Sequence, residues 1–404
     1  MKGFIKKHLN NEEMLIVFFL CTIFVPMWGV GYVIPFLLVL LFLLAKNCQK
    51  GRMLQIVKTK NITPVFIVFI IFLILVLFSS IHHTGSKWGS TDGFWVMLSA
   101  FIFYIFGSLT GGTVNTGRLI YNVKRYFPVA FTFIILTTVN FKTFRGGMWG
   151  EINDLTSSVL MITGALCGVF CGDIRQRKDL QASVILIPFI LFAFYFSVKI
   201  SSSDAALLLL VGYLFFLSVH VPDRYAFAAV WTFFLIIVIS GIGYLVFNGP
   251  IDFKSLLSPQ RLESFLSFRP QLWLASLSLI RQNPWAGIGS GLYKDFYEVI
   301  VPLLPGTKSV LAHSHSLYLV HFVSHGVAAG LAFITIIALN LRLVLSSLKD
   351  MEKAPLGLMV MGIWFFTLAY GLVELSPASR ELVPLLWGTS GLLAGTYSRQ
   401  EQIW

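Results

Sequence analysis

The sequence predicts an all-α integral membrane protein with about twelve transmembrane helices. Hydrophobic residues make up 56% of the chain and charged residues only 12%, and mean hydropathy is +0.81. A soluble protein of this composition would expose more apolar surface than water tolerates. Apolar runs of roughly 18 or more residues recur along the chain, and each is long enough as a helix to cross a bilayer. Their hydrophobicity is continuous rather than alternating, which excludes a transmembrane barrel.

Basic residues predict how these helices are oriented. We place spans near residues 14–29, 30–46, 62–82, 93–110, 127–143, 155–172, 181–199, 204–221, 225–247, 314–341, 355–375 and 381–398. Lys and Arg cluster in alternate loops, which the positive-inside rule assigns to the cytosol together with both termini. The net charge of +12 comes from these clusters rather than from one basic face, so it indicates topology and not nucleic-acid binding.

This pattern divides the chain into three parts. Residues 1–247 hold the first nine predicted helices, residues 248–313 form one large external loop, and residues 314–404 hold the last three helices and a cytosolic C-terminus. We expect the external loop to contain amphipathic helices on the membrane surface, because apolar residues recur at helical spacing. Those residues are Leu272, Trp273, Leu277 and Ile280.

The external loop holds the cations best suited to an anionic ligand. Arg269 suits a phosphate group because its guanidinium donates two parallel hydrogen bonds and keeps its charge, although an interfacial arginine that only snorkels is an equal alternative. Arg261 and Arg281 are further, weaker candidates in the same loop.

A glycine-rich segment follows these arginines. Gly287, Gly289 and Gly291 after Pro284 resemble a nucleotide-binding loop only superficially, since the required strand and helix of an α/β domain are missing from the pattern. The segment is better interpreted as a tight turn that lets the loop backbone pack closely against helices.

Four histidines stand where the loop meets the tenth predicted span. His313 and His315 have a spacing compatible with metal binding, but no acidic or cysteine ligand accompanies them, so no metal is predicted. A neutral His315 at the membrane boundary would suit proton transfer from a sugar hydroxyl. His321 and His325 are interpreted as polar groups packed between helices. A separate pair, His82 and His83, ends the third span and is interpreted as an interfacial anchor.

These features together resemble the O-antigen ligase and polymerase superfamily of bacterial envelope proteins. The resemblance rests on Arg269 followed by Trp273, on the turn formed by Pro284, Gly287 and Gly289, and on a span that starts with His315 and Ser316 and passes Leu319 to Gly326. The motifs occur in the same order on one large external loop of a protein with about twelve spans.

The resemblance implies a glycosyltransferase of the C-type membrane fold in the bacterial inner membrane, with its active site on the periplasmic side. It would be metal-independent and inverting, would need no cofactor, and would transfer O-antigen from undecaprenyl diphosphate to lipid A-core. Arg269 would bind the donor diphosphate, His315 would activate the acceptor hydroxyl with help from His313, and Trp273 would contact substrate.

The sequence departs from the family pattern at two positions. Ser324 stands where the family often has Glu, and Asp204 stands where many members have Arg. Lys199 is then the nearest cation that could replace this Arg at the diphosphate, together with Arg261 and Arg281 as possible substrate-binding residues.

Two alternatives remain open at this level. An O-antigen polymerase of the same superfamily would share the chemistry, but polymerases generally have two large external loops where this chain shows one. A polysaccharide or lipid transporter would use the histidines as a proton relay and would need broken helices with buried charges in both halves.

The predicted topology can be tested by cysteine labelling in a variant that lacks the native cysteines. A cysteine at Ser258 should react with a membrane-impermeant reagent in spheroplasts, whereas one at Lys50 should react only after permeabilisation. The opposite labelling pattern would place the external loop in the cytosol and remove the basis for a periplasmic active site.

Overall fold

A computed structural model describes residues 62–83, 92–112, 115–126, 152–176, 187–196, 209–210, 212–213, 269–293, 295–296, 314–372 and 382–400. The regular elements in these ranges are all helical. They are α1 (Thr63–His82), α2 (Asp92–Gly111), α3 (Ile152–Gln176), α4 (Ile187–Tyr195), α5 (Arg269–Gln282), α6 (Leu317–His325), α7 (Val327–Ser347), α8 (Ala354–Tyr370), a π-helical turn (Pro384–Gly388) and α9 (Thr389–Gln400). Residues 116–126 are also helical.

Four of the described helices have the length and apolar composition to cross a bilayer: α1, the Gly93–Gly111 part of α2, the Thr156–Asp173 part of α3, and α7. The structure thus confirms the all-helical class in the described residues and contains four candidate membrane spans. The total of about twelve spans stays a prediction, because the spans expected at 14–29, 30–46, 127–143 and 225–247 lie outside the described residues.

The largest departure from the predicted spans concerns residues 314–341. The structure has two helices here, because the chain breaks at Gly326 and α7 continues to Ser347. The last predicted span, 381–398, also differs, since it begins with a π-helical turn before α9.

Helices α3 and α8 pack antiparallel through glycines. A Cβ atom added to Gly164 would lie 2.5 Å from the Gly362 carbonyl oxygen, and one added to Gly168 would lie 2.2 Å from the Leu358 carbonyl oxygen. These glycines recur four residues apart and therefore line one face of α3. Without a hydrophobic driving force between helices in lipid, such close backbone approach gains dispersion energy that larger side chains would prevent.

Helices α2 and α9 meet in the same way but run parallel. Gly391 packs on the Tyr104 carbonyl and Gly395 on the Ser108 carbonyl, so contacts advance in the same direction along both helices. Parallel neighbours cannot be joined by a short loop, which explains why this pair unites distant parts of the chain.

The predicted cytosolic segments gather at one end of the bundle. Lys124 forms a buried ion pair of 2.6 Å with Asp173, at the end of α3. The Gln176 amide donates to the Met351 carbonyl, and the Thr116 hydroxyl lies 3.5 Å from the Glu352 carbonyl. Three basic loops assigned to one side by sequence are therefore neighbours in the fold.

Helix α1 shows which surfaces are available to lipid. One face is buried in the bundle, and the opposite face exposes large apolar side chains up to the last turn, where His82 is also exposed; the apolar residues include Ile67, Ile70, Ile74, Phe78 and Ile81. A contiguous exposed apolar face of this kind is suited to hydrocarbon rather than water.

The glycine contacts generate a stability prediction. Gly168→Ala should destabilise the protein by about 1–3 kcal/mol, because the added methyl group overlaps backbone atoms of α8 that cannot move independently. Gly212→Ala is the matched control, since no described atom lies within 4 Å of its added Cβ. Thermal unfolding in detergent should show a lower midpoint for the first variant only. Equal midpoints would mean that α3 and α8 are not packed this closely.

Candidate functional site

A helical hairpin formed by α6 and α7 is the centre of the candidate site. The rings of His321 and Phe333 lie 4.0 Å apart, although the residues are twelve positions apart in sequence. In an unbroken helix that separation would be about 18 Å. Phe322 likewise packs against Gly330, so the contacts are symmetrical about Gly326 and α6 folds back along α7.

The glycine-rich turn, residues 284–291, binds the tip of the hairpin around Gly326. The backbone N–H groups of Ile288 and Gly289 donate to the carbonyls of Val323 and Ser324, at 2.9 and 3.0 Å. Val327 N–H donates to the Pro284 carbonyl at 2.8 Å. The turn therefore satisfies carbonyl groups that the end of α6 would leave unpaired.

Glycine is required where the turn meets the hairpin. Gly287 has φ 67° and Gly326 has φ 87°, in the left-handed region. A Cβ on Gly287 would lie 2.4 Å from the Ser324 carbonyl carbon, and one on Gly326 would lie 2.2 Å from the Trp285 carbonyl oxygen. The interpretation of this segment as a close-packing turn is confirmed.

The end of α1 holds the same turn in place. The Ser79 hydroxyl lies 2.6 Å from the Ala286 carbonyl oxygen and 2.9 Å from that of Ser324, and His83 Nε2–H donates to the Gly287 carbonyl at 3.0 Å. His82 is exposed and stacks on Phe78. The interpretation of both histidines as interfacial anchors is therefore wrong for His83, which connects α1 to the turn.

His315 lies at the opposite end of α6 from the glycine turn. Among the described residues it is the one non-glycine residue with a positive φ, 46°. Its neighbours are buried: Ser316 caps α6 by accepting from Leu319 N–H, and Leu317 N–H donates to the Gly371 carbonyl at 2.8 Å. A left-handed histidine directly before a fixed helix start is the kind of backbone strain that clusters at functional sites.

This position corrects the expectation that His315 lies at the mouth of an apolar span. Helix α6 rises about 1.5 Å per residue, so His315 is separated from the hairpin tip by about 13 Å of helix. It lies near the C-terminal end of α8 because of the Leu317–Gly371 hydrogen bond.

Arg269 is the first residue of α5, and this helix packs on α6 through an apolar cluster that includes Leu272, Leu279 and Val323. The structure therefore joins the helix that starts at Arg269 to the helix that follows His315. The predicted apolar face of α5 is partly wrong, since Leu277 is exposed and Ala275 takes a buried position instead.

Trp273 presents a donor that is available for a ligand. Its indole Nε1 is buried and has no hydrogen-bond partner in the part of the chain that the structure describes. A buried N–H group normally has a partner, so this donor suits an acceptor supplied by substrate. Arg281 is exposed at the end of α5. The remaining predicted site residues, His313, Arg261 and Lys199, lie outside the described residues.

His321 and His325 pack between helices, as the sequence indicated. His321 is 5% exposed between Phe72 of α1 and Phe333 of α7, and His325 is 4% exposed with its Nε2 3.4 Å from the Ser290 hydroxyl. Sequence reasoning missed Ser79, His83 and Ser290 at this junction. The available signal was the polar run from Ser79 to His83, which interrupts an otherwise apolar helix.

The region around this hairpin is similar in sequence to a known protein family. Residues 187–334 match the family model described as O-antigen ligase. This match supports membership of the O-antigen ligase superfamily. The matched region includes α4, α5, the glycine turn, α6 and the first residues of α7, so Arg269 and His315 both lie within it. No curated protein matches the chain.

The family match indicates an enzyme of the O-antigen ligase or polymerase type in lipopolysaccharide biosynthesis. The family implies O-antigen polymers and lipid-linked partners in general as substrates.

Proposed function

We propose that this protein is an O-antigen ligase, a metal-independent inverting glycosyltransferase of the bacterial inner membrane. It would transfer O-antigen from undecaprenyl diphosphate to lipid A-core on the periplasmic side. The observation that carries the proposal is the strained His315 at the start of a helix that folds back inside the superfamily region. Backbone strain of this kind clusters at active sites, which supports a functional role for His315.

The proposed chemistry requires two groups, which we assign to His315 and Arg269. A sugar hydroxyl must lose a proton as it attacks the donor sugar, and a neutral imidazole at His315 can accept it. The departing lipid diphosphate gains negative charge, which the guanidinium of Arg269 stabilises through paired hydrogen bonds. The buried Trp273 N–H would donate to an oxygen of the donor. Further proposed contacts to substrate come from His313, Arg261, Arg281 and Lys199.

The acceptor distinguishes the two activities of the superfamily. A ligase transfers the glycan to lipid A-core, whereas a polymerase transfers it to a second lipid-linked O-antigen unit. The single large external loop predicted for this chain supports the ligase. An assay that offers both acceptors separately decides between them by the product formed.

The first prediction of this mechanism concerns Arg269→Lys. Transfer should fall by roughly 100-fold, because a compact ammonium cannot reproduce the paired geometry on a diphosphate although the charge is kept. The measurement is transfer of a lipid-diphosphate glycan to purified lipid A-core at equal folded concentration. Arg342→Lys is the matched control, since Arg342 is exposed on α7. Normal transfer by the Arg269 variant would reduce this residue to an interfacial anchor.

The second prediction concerns His315→Asn. Asn tolerates a positive φ, so this variant keeps the backbone conformation that Ala would strain. Loss of the base should lower transfer by roughly 100-fold or more while donor binding remains.

The assay for His315→Asn is run in excess chelator, where the wild type should stay active, with His82→Asn as control. Near-normal transfer by the His315 variant would show that another group removes the proton. Wild-type activity that is lost in chelator and restored by zinc or magnesium would contradict the metal-independent mechanism.

A further inference from the structure

We propose that His321 and His325 hold a chain of water molecules that carries the proton released in glycosyl transfer from the His315 end of α6 to the outer surface. This inference rests on the proposed function, because it follows the proton that His315 removes. The four residues concerned, His321, His325, Ser290 and His83, are called the polar strip below.

The first observation is that the two buried imidazoles are not satisfied. Both ring nitrogens of His321 and the Nδ1 of His325 have no hydrogen-bond partner within the described part of the chain. Every neutral imidazole has one donor and one acceptor, and leaving them unpaired in an apolar interior is costly. Buried polar groups of this kind are typically satisfied by ordered water.

The second observation is that the two rings cannot satisfy each other. Their centroids lie 5.9 Å apart and their planes are nearly parallel, at 25°. Imidazole N–H bonds lie in the plane of the ring, so stacked rings do not point donors at each other. A water molecule beside the stack could bond to both rings and bridge them.

The third observation is continuity toward the surface. The Nε2 of His325 lies 3.4 Å from the Ser290 hydroxyl. His83 packs against Gly289, the residue before Ser290, and connects the strip to the end of α1. At the other end, His321 lies about one helical turn from the first residue of α6, which follows His315 and Ser316.

The residues around the polar strip favour neutral imidazole rings over a permanently charged imidazolium ion. Phe72 and Phe333 cover the His321 ring on two sides, and such burial disfavours an imidazolium ion. The ionisable groups on α1, α5 and α7, which pack against α6, are His82 and His83 of α1, Arg269 and Arg281 of α5, and Arg342 of α7. The sequences of α1, α5, α7 and the turn contain no carboxylate. The N-terminal end of α2 also reaches the strip, because Gly93 packs against Ser290 and His325, and the preceding residue is Asp92.

Each neutral ring can pass a proton by accepting it on one nitrogen and releasing the proton of the other. The proton taken from the acceptor hydroxyl thus leaves His315 for water, passes His321 and His325, and reaches bulk water past Ser290. His315 returns to its neutral form for the next transfer. No oxidant, reductant or further reactant is needed.

The experiment compares His321→Gln and His325→Gln with His82→Gln, whose parent side chain is exposed. A glutamine amide keeps a donor and an acceptor for water but cannot exchange protons between its two polar atoms. A purely structural role should therefore survive the substitution, whereas a relay should not. Unfolding midpoint and donor binding are measured for each variant, to separate folding from chemistry.

We expect single-turnover transfer by His321→Gln to fall by about tenfold, less than for loss of the base itself, with a larger solvent deuterium isotope effect. Donor binding should be unchanged. Transfer and isotope effect equal to wild type in both strip variants would overturn the relay. A loss of stability without a change in the isotope effect would also overturn it, because that result indicates packing alone.

A second readout does not depend on activity. The protein is labelled with ¹⁵N-histidine in lipid nanodiscs and studied by NMR. Magnetisation transfer from water should reach the His321 and His325 rings. The signals of these rings are assigned because each disappears in the corresponding glutamine variant. Dry rings would overturn the proposal. If the wild type transfers no glycan to either acceptor, the proposed function fails, and the relay fails with it even when the rings are hydrated.

Discussion

The arrangement of the site depends on one constraint, which is that backbone groups inside an apolar bundle must find partners within the protein. Helix α6 ends at Gly326 and cannot continue into α7, so its last carbonyls need donors from elsewhere. The glycine turn supplies them from Ile288 and Gly289. Because the turn can approach so closely only without side chains, the glycines of the turn and Gly326 form one packing unit.

This constraint also explains why His315 is held where it is. The C-terminal end of α6 is fixed by the turn and by Ser79 of α1, and its N-terminal end is fixed by the Ser316 cap and the Gly371 carbonyl. A short helix fixed at both ends leaves little freedom to the residue just before it. The positive φ of His315 is consistent with this constraint on the residues that follow it.

The remainder of the bundle provides the rigid support that such a frame requires. Glycine faces bring α3 against α8 and α2 against α9 at backbone contact distance. Helix α8 in turn contributes the Gly371 carbonyl to the start of α6. The close helix pairs and His315 thus belong to one connected set of contacts. Dispersion contacts between helix backbones stabilise the bundle, and the bundle in turn holds the locally unfavourable backbone conformation of His315.

The sequence by itself determined the class of protein and the local elements. Long apolar runs require helices in a bilayer, and α1, α2 and α3 begin and end within a few residues of the predicted spans. The order of Arg269, the glycine turn and His315 pointed to the superfamily that the family comparison supports. These features depend on residues close together in the chain, where hydropathy and backbone preference act directly.

Only the tertiary structure decided how the span at 314–341 is used. Its composition is apolar on both sides of Gly326, so hydropathy alone favours one continuous helix, and the reversal depends on hydrogen bonds from a turn some forty residues earlier. The role of His83, the parallel pairing of α2 with α9 and the unsatisfied rings of His321 and His325 are likewise products of contacts between distant segments. Periodicity does not carry such information, because it records which face of a helix is apolar and not which partner that face meets.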